Sequence, residues 1–279
     1  MKDKVCIVTG SNSGIGKETA LALSSMGATV VIVVRDKECG EKAQLDIINK
    51  TGNRDTILTM CDLSSIDSVK KFAKEFADNY DRLNVLINNA GAVFRKRQTT
   101  VDGFERTLAV NYVGPFLLTY ELLPLLKSSA PSRIINLSSG LYKSGKIDFD
   151  NLQSEKNYNG MTVYSNVKLM VMMYTYDLAR RLEGTDVIAN IALPGFAATN
   201  LGRNSGSLLY SLEYLIVRPF QISAKKGAET SIYLASSDEI EGVTGKCFSK
   251  MRETTTSQLS YDQQIQKQLW DKTIELLKL

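Results

Sequence analysis

Apolar and polar positions along the chain fall into short runs rich in β-branched residues, separated by longer stretches of helical period. The run 5–9, Val-Cys-Ile-Val-Thr, carries no charge, as expected of a strand buried on both faces of a parallel sheet. Comparable runs predict strands at 29–34, 56–61, 83–87, 133–137 and 187–193. Between them the 3.6-residue period predicts helices at 17–26, 37–50, 65–80, 101–127 and 161–182. From 199 to 224 the alternation gives way to a stretch in which Leu208, Leu209, Leu212, Leu215 and Ile216 form one apolar face at helical spacing. A strand at 243–248 and a closing amphipathic helix at about 260–279, with Trp270, Ile274 and Leu277, complete the pattern.

Strand and helix alternating in this way predict an α/β fold. The expected form is a single-domain Rossmann-type doubly wound parallel sheet, with helices on both faces and spanning 1–279. No linker, repeat or low-complexity block divides the chain. In such sheets ligands lie beyond the carboxyl ends of the strands. Arg35, Asp62, Asn88 to Gly91, Ser138 and Ser139, and Pro194 with Gly195 all sit just past a predicted strand. The first strand leads directly into Gly10-Ser11-Asn12-Ser13-Gly14-Ile15-Gly16 and then a helix beginning at Lys17. Gly10 permits the turn, Gly14 lets backbone N–H groups approach a pyrophosphate, and Gly16 lets strand and helix pack closely. A glycine cluster alone is an ordinary tight turn, but its position between a buried strand and a helix favours nucleotide binding.

Composition narrows the chemistry. The 279 residues contain no histidine, which removes a Ser-His-Asp triad and most zinc sites and leaves proton transfer to Tyr, Lys, Asp or Glu. Cys6, Cys39, Cys61 and Cys247 form no C-x-x-C pair, so a metal site and a disulfide scaffold are not expected. They read as small hydrophobes in a reducing compartment. The net charge of +4 is scattered among 30 acidic residues and forms no nucleic-acid stripe. With no signal-like start and no apolar span, a cytoplasmic location is expected.

Tyr164 and Lys168 lie four residues apart in a predicted helix, separated by about 6 Å of axial rise on one face. Matching a tyrosine to neutral pH takes about 3 to 4 kcal/mol. A cation at that distance supplies well under ~1 kcal/mol in water but roughly 3 at an effective dielectric of about 20. The pair is thus a usable proton donor only in a cleft, and elsewhere the same spacing holds a solvated lysine.

The order TGSNSGIG (9–16), Asp62, NNAG (88–91), Asn111, Ser139, YSNVK (164–168) and Pro194-Gly195 resembles the short-chain dehydrogenase/reductase family across nearly the whole chain. The segments KVCIVTGSNSGIGKETA, DGFERTLAVNYVGPFLLT and SAPSRIINLSS are most similar to its retinol dehydrogenase-like subgroup. The resemblance implies Tyr164 as proton donor or acceptor, Lys168 as the group that lowers its pKa and holds the nicotinamide ribose, and Ser139 as a hydrogen-bond partner of the substrate oxygen. It implies Asn111 as the residue that fixes the helix and a relay water. It also places Gly10 to Lys17, Arg35, Asp62, Leu63, Asn89, Ala90, Gly91, Tyr164, Lys168, Pro194, Gly195 and Thr199 at the cofactor, and it implies a homodimer or homotetramer. The chain departs from the subgroup where histidines are common, with Tyr112, Pro115 and Leu193, and has Val167 where the family commonly has Ser.

The cofactor expected is NADP(H). NAD enzymes of this fold usually carry an acid at the end of the second strand, and here Val34 stands there with Arg35 next. Arg35 offers a permanently charged fork to a 2′-phosphate, and Lys17 a second positive charge. The resemblance makes the apolar stretch at about 199–224 a substrate lid, suited to a small apolar alcohol or carbonyl. Core packing, a dimer contact or a shallow membrane contact would use the same face. Two other functions compete: a nucleotide sensor or scaffold without chemistry, which needs only the glycine turn, and a light-driven reductase of a ring double bond, which a similar Tyr/Lys pair could serve. A sensor needs no intact Asn111, Ser139, Tyr164 and Lys168 set.

Overall fold

The computed structural model describes residues 1–195 and 222–279. The lid expected at about 199–224, with Thr199, therefore falls almost wholly outside the described residues. The described strands are β1 (Val5–Thr9), β2 (Thr29–Val34), β3 (Thr56–Met60), β4 (Val85–Asn88), β5 (Ser132–Leu137), β6 (Val187–Leu193), β7 (Cys247–Ser249) and β8 (Arg252–Glu253). They form one sheet in the order β3-β2-β1-β4-β5-β6-β7-β8, parallel throughout except for the antiparallel β7–β8 pair at one edge.

Helices cover both faces: α1 (Gly14–Ser25), α2 (Lys37–Thr51), α3 (Ile66–Asn79), α4 (Arg106–Ser128), α5 (Gly160–Arg181), α6 (Ala224–Ser236) and α7 (Gln263–Leu277). Side chains alternate across a strand, so β1 serves two cores. Val5 and Ile7 join Phe72 of α3, Leu117 of α4, Leu169 of α5 and Leu269 of α7. Cys6 and Val8 join Leu23 of α1, Ile47 of α2 and Leu234 of α6. The chain leaves β1 toward β2 and β3, then crosses to β4 on the other side. This reversal opens a crevice beyond β1 and β4, where Gly10 and Asn89 lie.

Several predicted bounds shift. The helix expected at 101–127 begins only at Arg106, because Thr99 and Glu105 form an antiparallel bridge around a turn in which Gly103 has φ +84°. Val101, expected in that helix, is 90% exposed. The run Arg106–Ser128 is long and apolar enough to cross a membrane, but 72% of its most apolar window is buried inside the protein, as in a core helix. The strand expected at 243–248 forms only from Cys247, since Val243 donates to Ile240 in a turn and Gly245 takes φ +66°. Helix α6 and strand β8 were not expected from the pattern.

Candidate active site

The glycine turn is held from beneath by side chains of its own strands. Thr9 Oγ1 accepts from the backbone N–H groups of Asn89 and Ala90, each at 3.0 Å. Asn89 Nδ2 returns bonds to the carbonyls of Thr9 (2.7 Å) and Gly10 (3.3 Å). Gly10 and Gly14 take φ of +65° and +58°, the left-handed region that glycine enters without strain. A Cβ on Gly16 would lie 2.3 Å from Asn89 Nδ2 and 2.6 Å from the Gly10 carbonyl, so β1, α1 and the 88–91 segment meet where no side chain fits. The Asn89 side chain thus shapes the turn.

The N-terminus of α1 has the character of an anion site. Its cap residue, Ser13, makes no capping hydrogen bond, and the first turn holds no acid. Its first backbone N–H groups therefore stay available to an acceptor beside the glycine turn, which fits a dinucleotide pyrophosphate. Ser11 Oγ donates to the Val8 carbonyl at 2.8 Å, tying the turn to its strand.

At the end of β2, Arg35 is exposed while Asp36 is engaged. Asp36 Oδ1 accepts from the Cys39 backbone N–H at 2.8 Å as the cap of α2, and that bond holds its carboxyl below the usual range. The expected second cation is already paired: Lys17 Nζ lies 2.8 Å from Asp46 of α2, which also binds Lys50 at 2.9 Å. Farther along the same edge, Asp62 Oδ1 accepts from the N–H and Oγ of Ser64. The Leu63 carbonyl lies so close to Gly114 that a Cβ there would come within 2.2 Å of it. Pro194 and Gly195 follow β6, with Gly195 at φ +77°.

Asn111 sits in a wide π-turn, Ala109–Val113, that interrupts α4. Such turns are uncommon and occur mostly at functional sites. Asn111 Nδ2 donates to the carbonyls of Ala92 (2.8 Å) and Thr107 (2.7 Å), and its Oδ1 accepts from Ala92 N–H at 3.3 Å. It therefore pins α4 to the segment that follows Asn88 to Gly91. The start of α4 is capped by a buried carboxylate that the pattern did not single out. Glu105 accepts from Thr107 and Leu108 N–H and from the Tyr158 hydroxyl.

Tyr164 and Lys168 both project from α5 into the protein and are 5% and 4% exposed, so the dry environment their chemistry requires is present. Asn159 caps that helix through Met161 and Thr162 N–H. Ser139, half-buried at the end of the β5 segment, lies beside the Tyr164 phenol and favours its ionised form. Burial pushes the Tyr164 phenol well above the usual tyrosine range, and Ser139 offsets only part of this.

Lys168 is held by the neighbouring strand. Its Nζ donates to the Leu137 carbonyl at 3.1 Å and lies 5.5 Å from the Tyr164 ring centroid. Burial lowers its ammonium to about 8. Ser138 Oγ, donating to the Lys168 carbonyl at 2.9 Å, locks this part of α5 to β5. Asn111 and Leu137 line one small cavity, so the Asn111 turn and the acceptor of Lys168 are neighbours.

Comparison with known proteins gives the family. A profile of the short chain dehydrogenase family matches residues 4–207. The chain belongs to the short chain dehydrogenase family. It is 42% identical to Retinol dehydrogenase 14 of Homo sapiens over 97% of this chain and 85% of that protein. It is 41% identical to Retinol dehydrogenase 12 of Homo sapiens, over 98% and 86% respectively. Among solved structures, an uncharacterized protein from Mycobacterium Paratuberculosis superposes with a TM-score of 0.80 at 30% identity, covering 99% of this chain and 94% of that one. Among the described residues no group of three or more Cys, Asp or Glu side chains is placed to hold a metal ion.

Proposed function

We propose that this short chain dehydrogenase interconverts an apolar alcohol and its aldehyde or ketone with NADP(H), using Tyr164 as the general acid and base. The observation that carries the reading is the joint burial of Tyr164 and Lys168, one helical turn apart on α5, with Ser139 beside the phenol. The nicotinamide, when bound, supplies or accepts the hydride.

In the reductive direction the substrate oxygen becomes an alkoxide and needs a proton. Ser139 and Tyr164 supply hydrogen-bond donors at a fixed place, where burial strengthens them. A phenol raised by burial stays protonated at neutral pH but is a weaker acid than free tyrosine, so its donation depends on stabilisation of the tyrosinate. Lys168, charged below about pH 8, stabilises the tyrosinate that donation leaves. The glycine turn and the uncapped start of α1 would hold the pyrophosphate of a bound nucleotide. Arg35 faces solvent where a 2′-phosphate would lie and supports NADP(H), with Asp36 occupied as a helix cap.

The apolar substrate class is supported by the leucine-rich 199–224 sequence and by the names of the two relatives. The test is turnover of retinaldehyde, a long-chain aldehyde and a small polar ketone with NADPH and NADH. Turnover of the apolar carbonyls with NADPH supports the reading. Nucleotide binding without turnover of any carbonyl would make the protein a sensor or scaffold instead.

A further inference from the structure

The residue after Asn111 is tied to the other end of the chain. Tyr112 lies in the same π-turn and is 3% exposed, and its hydroxyl is 2.8 Å from Oγ1 of Thr273 in α7, 161 residues away and 2% exposed. Thr273 Oγ1 also donates to the Leu269 carbonyl at 2.7 Å, so its one proton is in use. Tyr112 is therefore the donor, and Thr273 supplies the lone pair that satisfies it.

Around this bond α7 packs directly on the helices of the site. Trp270 lies 4.9 Å from the Phe116 ring and stacks on Tyr174 at 6.0 Å with 24° between the planes. Tyr112 meets the same two rings, at 6.1 Å from each. The Arg181 guanidinium covers Trp270 at 4.1 Å, and Arg180 bonds Gln266 of α7.

A π-turn is a local departure from the α-helix that persists only where its surroundings determine it. Here the turn is held on two sides. Asn111 is drawn toward Ala92 and the nucleotide edge, whereas Tyr112, the next residue and so about 100° farther round the helix, is drawn toward α7. Releasing either anchor lets the wide turn shift along α4, and a shift of one residue swings Asn111 away from Ala92.

We propose that α7 positions Asn111 through the Tyr112–Thr273 hydrogen bond, making Tyr112 and Thr273 positioning residues of the reaction. The proposal rests on the reading of Asn111 as part of the proton-transfer set.

Three variants of the full chain test it: Thr273→Val, Thr273→Ser and Tyr112→Phe. Thr273→Val strands a buried tyrosine hydroxyl, whereas Tyr112→Phe removes the hydroxyl and leaves Thr273 bonded to Leu269. Thr273→Val is therefore the more harmful change, Tyr112→Phe added to it relieves part of the harm, and Thr273→Ser keeps the bond. Two quantities are read: amide hydrogen exchange of residues 107–114, and kcat and KM on a carbonyl that the wild type reduces. Thr273→Val is expected to speed exchange in that segment about three- to tenfold and to lower kcat by a similar factor, with KM for the nucleotide unchanged. Thr273→Ser is expected to match the wild type in both.

Exchange and kcat that stay at wild-type values in Thr273→Val, whatever its melting temperature, would overturn the proposal and leave α7 a packing element. If Thr273→Val does not fold, Tyr112→Phe decides by the same two readings. A wild type that reduces no carbonyl would instead defeat the functional reading, and the exchange measurement would still decide whether α7 holds the turn.

Discussion

Lys168 Nζ donates to the Leu137 carbonyl at 3.1 Å and stands 5.5 Å from the centre of the Tyr164 ring. The lysine is thus held at the strand end. Its charge is carried in a buried place, where burial lowers its pKa to about 8.

That burial has a stability signature. A lysine titrating near 8 when folded and near 10.5 when unfolded destabilises the fold at neutral pH by roughly 3 kcal/mol. Between pH 8 and 10.5 the unfolded chain binds more protons at this site, so the penalty shrinks as pH rises. Lys168→Met is expected to raise stability at pH 7 by about 1 to 3 kcal/mol, after allowing for the lost Leu137 hydrogen bond, and to abolish turnover. Urea unfolding at pH 7 and pH 9.5 checks this, with the gain over wild type smaller at the higher pH.

The same titration predicts a rate profile. Tyr164 stays protonated across the working range, whereas Lys168 loses its charge above about pH 8. Reductive kcat/KM is expected to be level below pH 8 and to fall above it, because the tyrosinate left by proton donation then loses its stabilising cation. A rate profile that rises through pH 8 to 10 would assign the proton to another group.

Cofactor choice separates the two cations at the nucleotide edge. Arg35→Ala is expected to lower kcat/KM for NADPH by one to two orders of magnitude and leave NADH nearly unchanged, from about 1.5 to 3 kcal/mol per charge-assisted contact. Lys17→Ala is expected to have a smaller effect, since Lys17 is already paired with Asp46 at 2.8 Å. Steady-state rates with both nucleotides measure both effects, and an NADH preference unaltered by Arg35→Ala would remove Arg35 from the site.

Gly16→Ala tests the turn. The added methyl would lie 2.3 Å from Asn89 Nδ2 and 2.6 Å from the Gly10 carbonyl, both part of the nucleotide edge. Nucleotide affinity is expected to fall at least tenfold, read by nucleotide titration, with a loss of stability of about 1 to 3 kcal/mol. Gly140→Ala, where nothing lies within 4 Å, is the control.

The parts of this site that show in the sequence depend on local chemistry. The Gly10 to Gly16 turn, the Tyr164–Lys168 spacing and the buried runs depend on backbone conformation and on neighbours a few residues apart. Strand β6 has the bounds its apolar run predicts. The helix predicted from 101 begins instead at Arg106, because the Asp102-Gly103 pair makes a turn. What stayed hidden depends on long-range pairing. Thr9 bonds the backbone of Asn89 and Ala90 some eighty residues away, and Tyr112 bonds Thr273 at the far end of the chain. No local spacing marks either pair. The direction in which the Lys168 ammonium turns is likewise set by the Leu137 carbonyl, which helical periodicity cannot place.

The central claim is that the Tyr164 hydroxyl moves the proton. Tyr164→Phe removes one hydroxyl from a buried helix face, so folding and nucleotide binding are expected to stay close to wild type. The decisive measurement is the single-turnover rate of NADPH oxidation by the variant on a carbonyl that the wild type reduces, with nucleotide affinity measured alongside. The predicted result is a fall of several orders of magnitude at unchanged affinity; a variant that keeps a tenth or more of the wild-type rate would contradict Tyr164 as the acid.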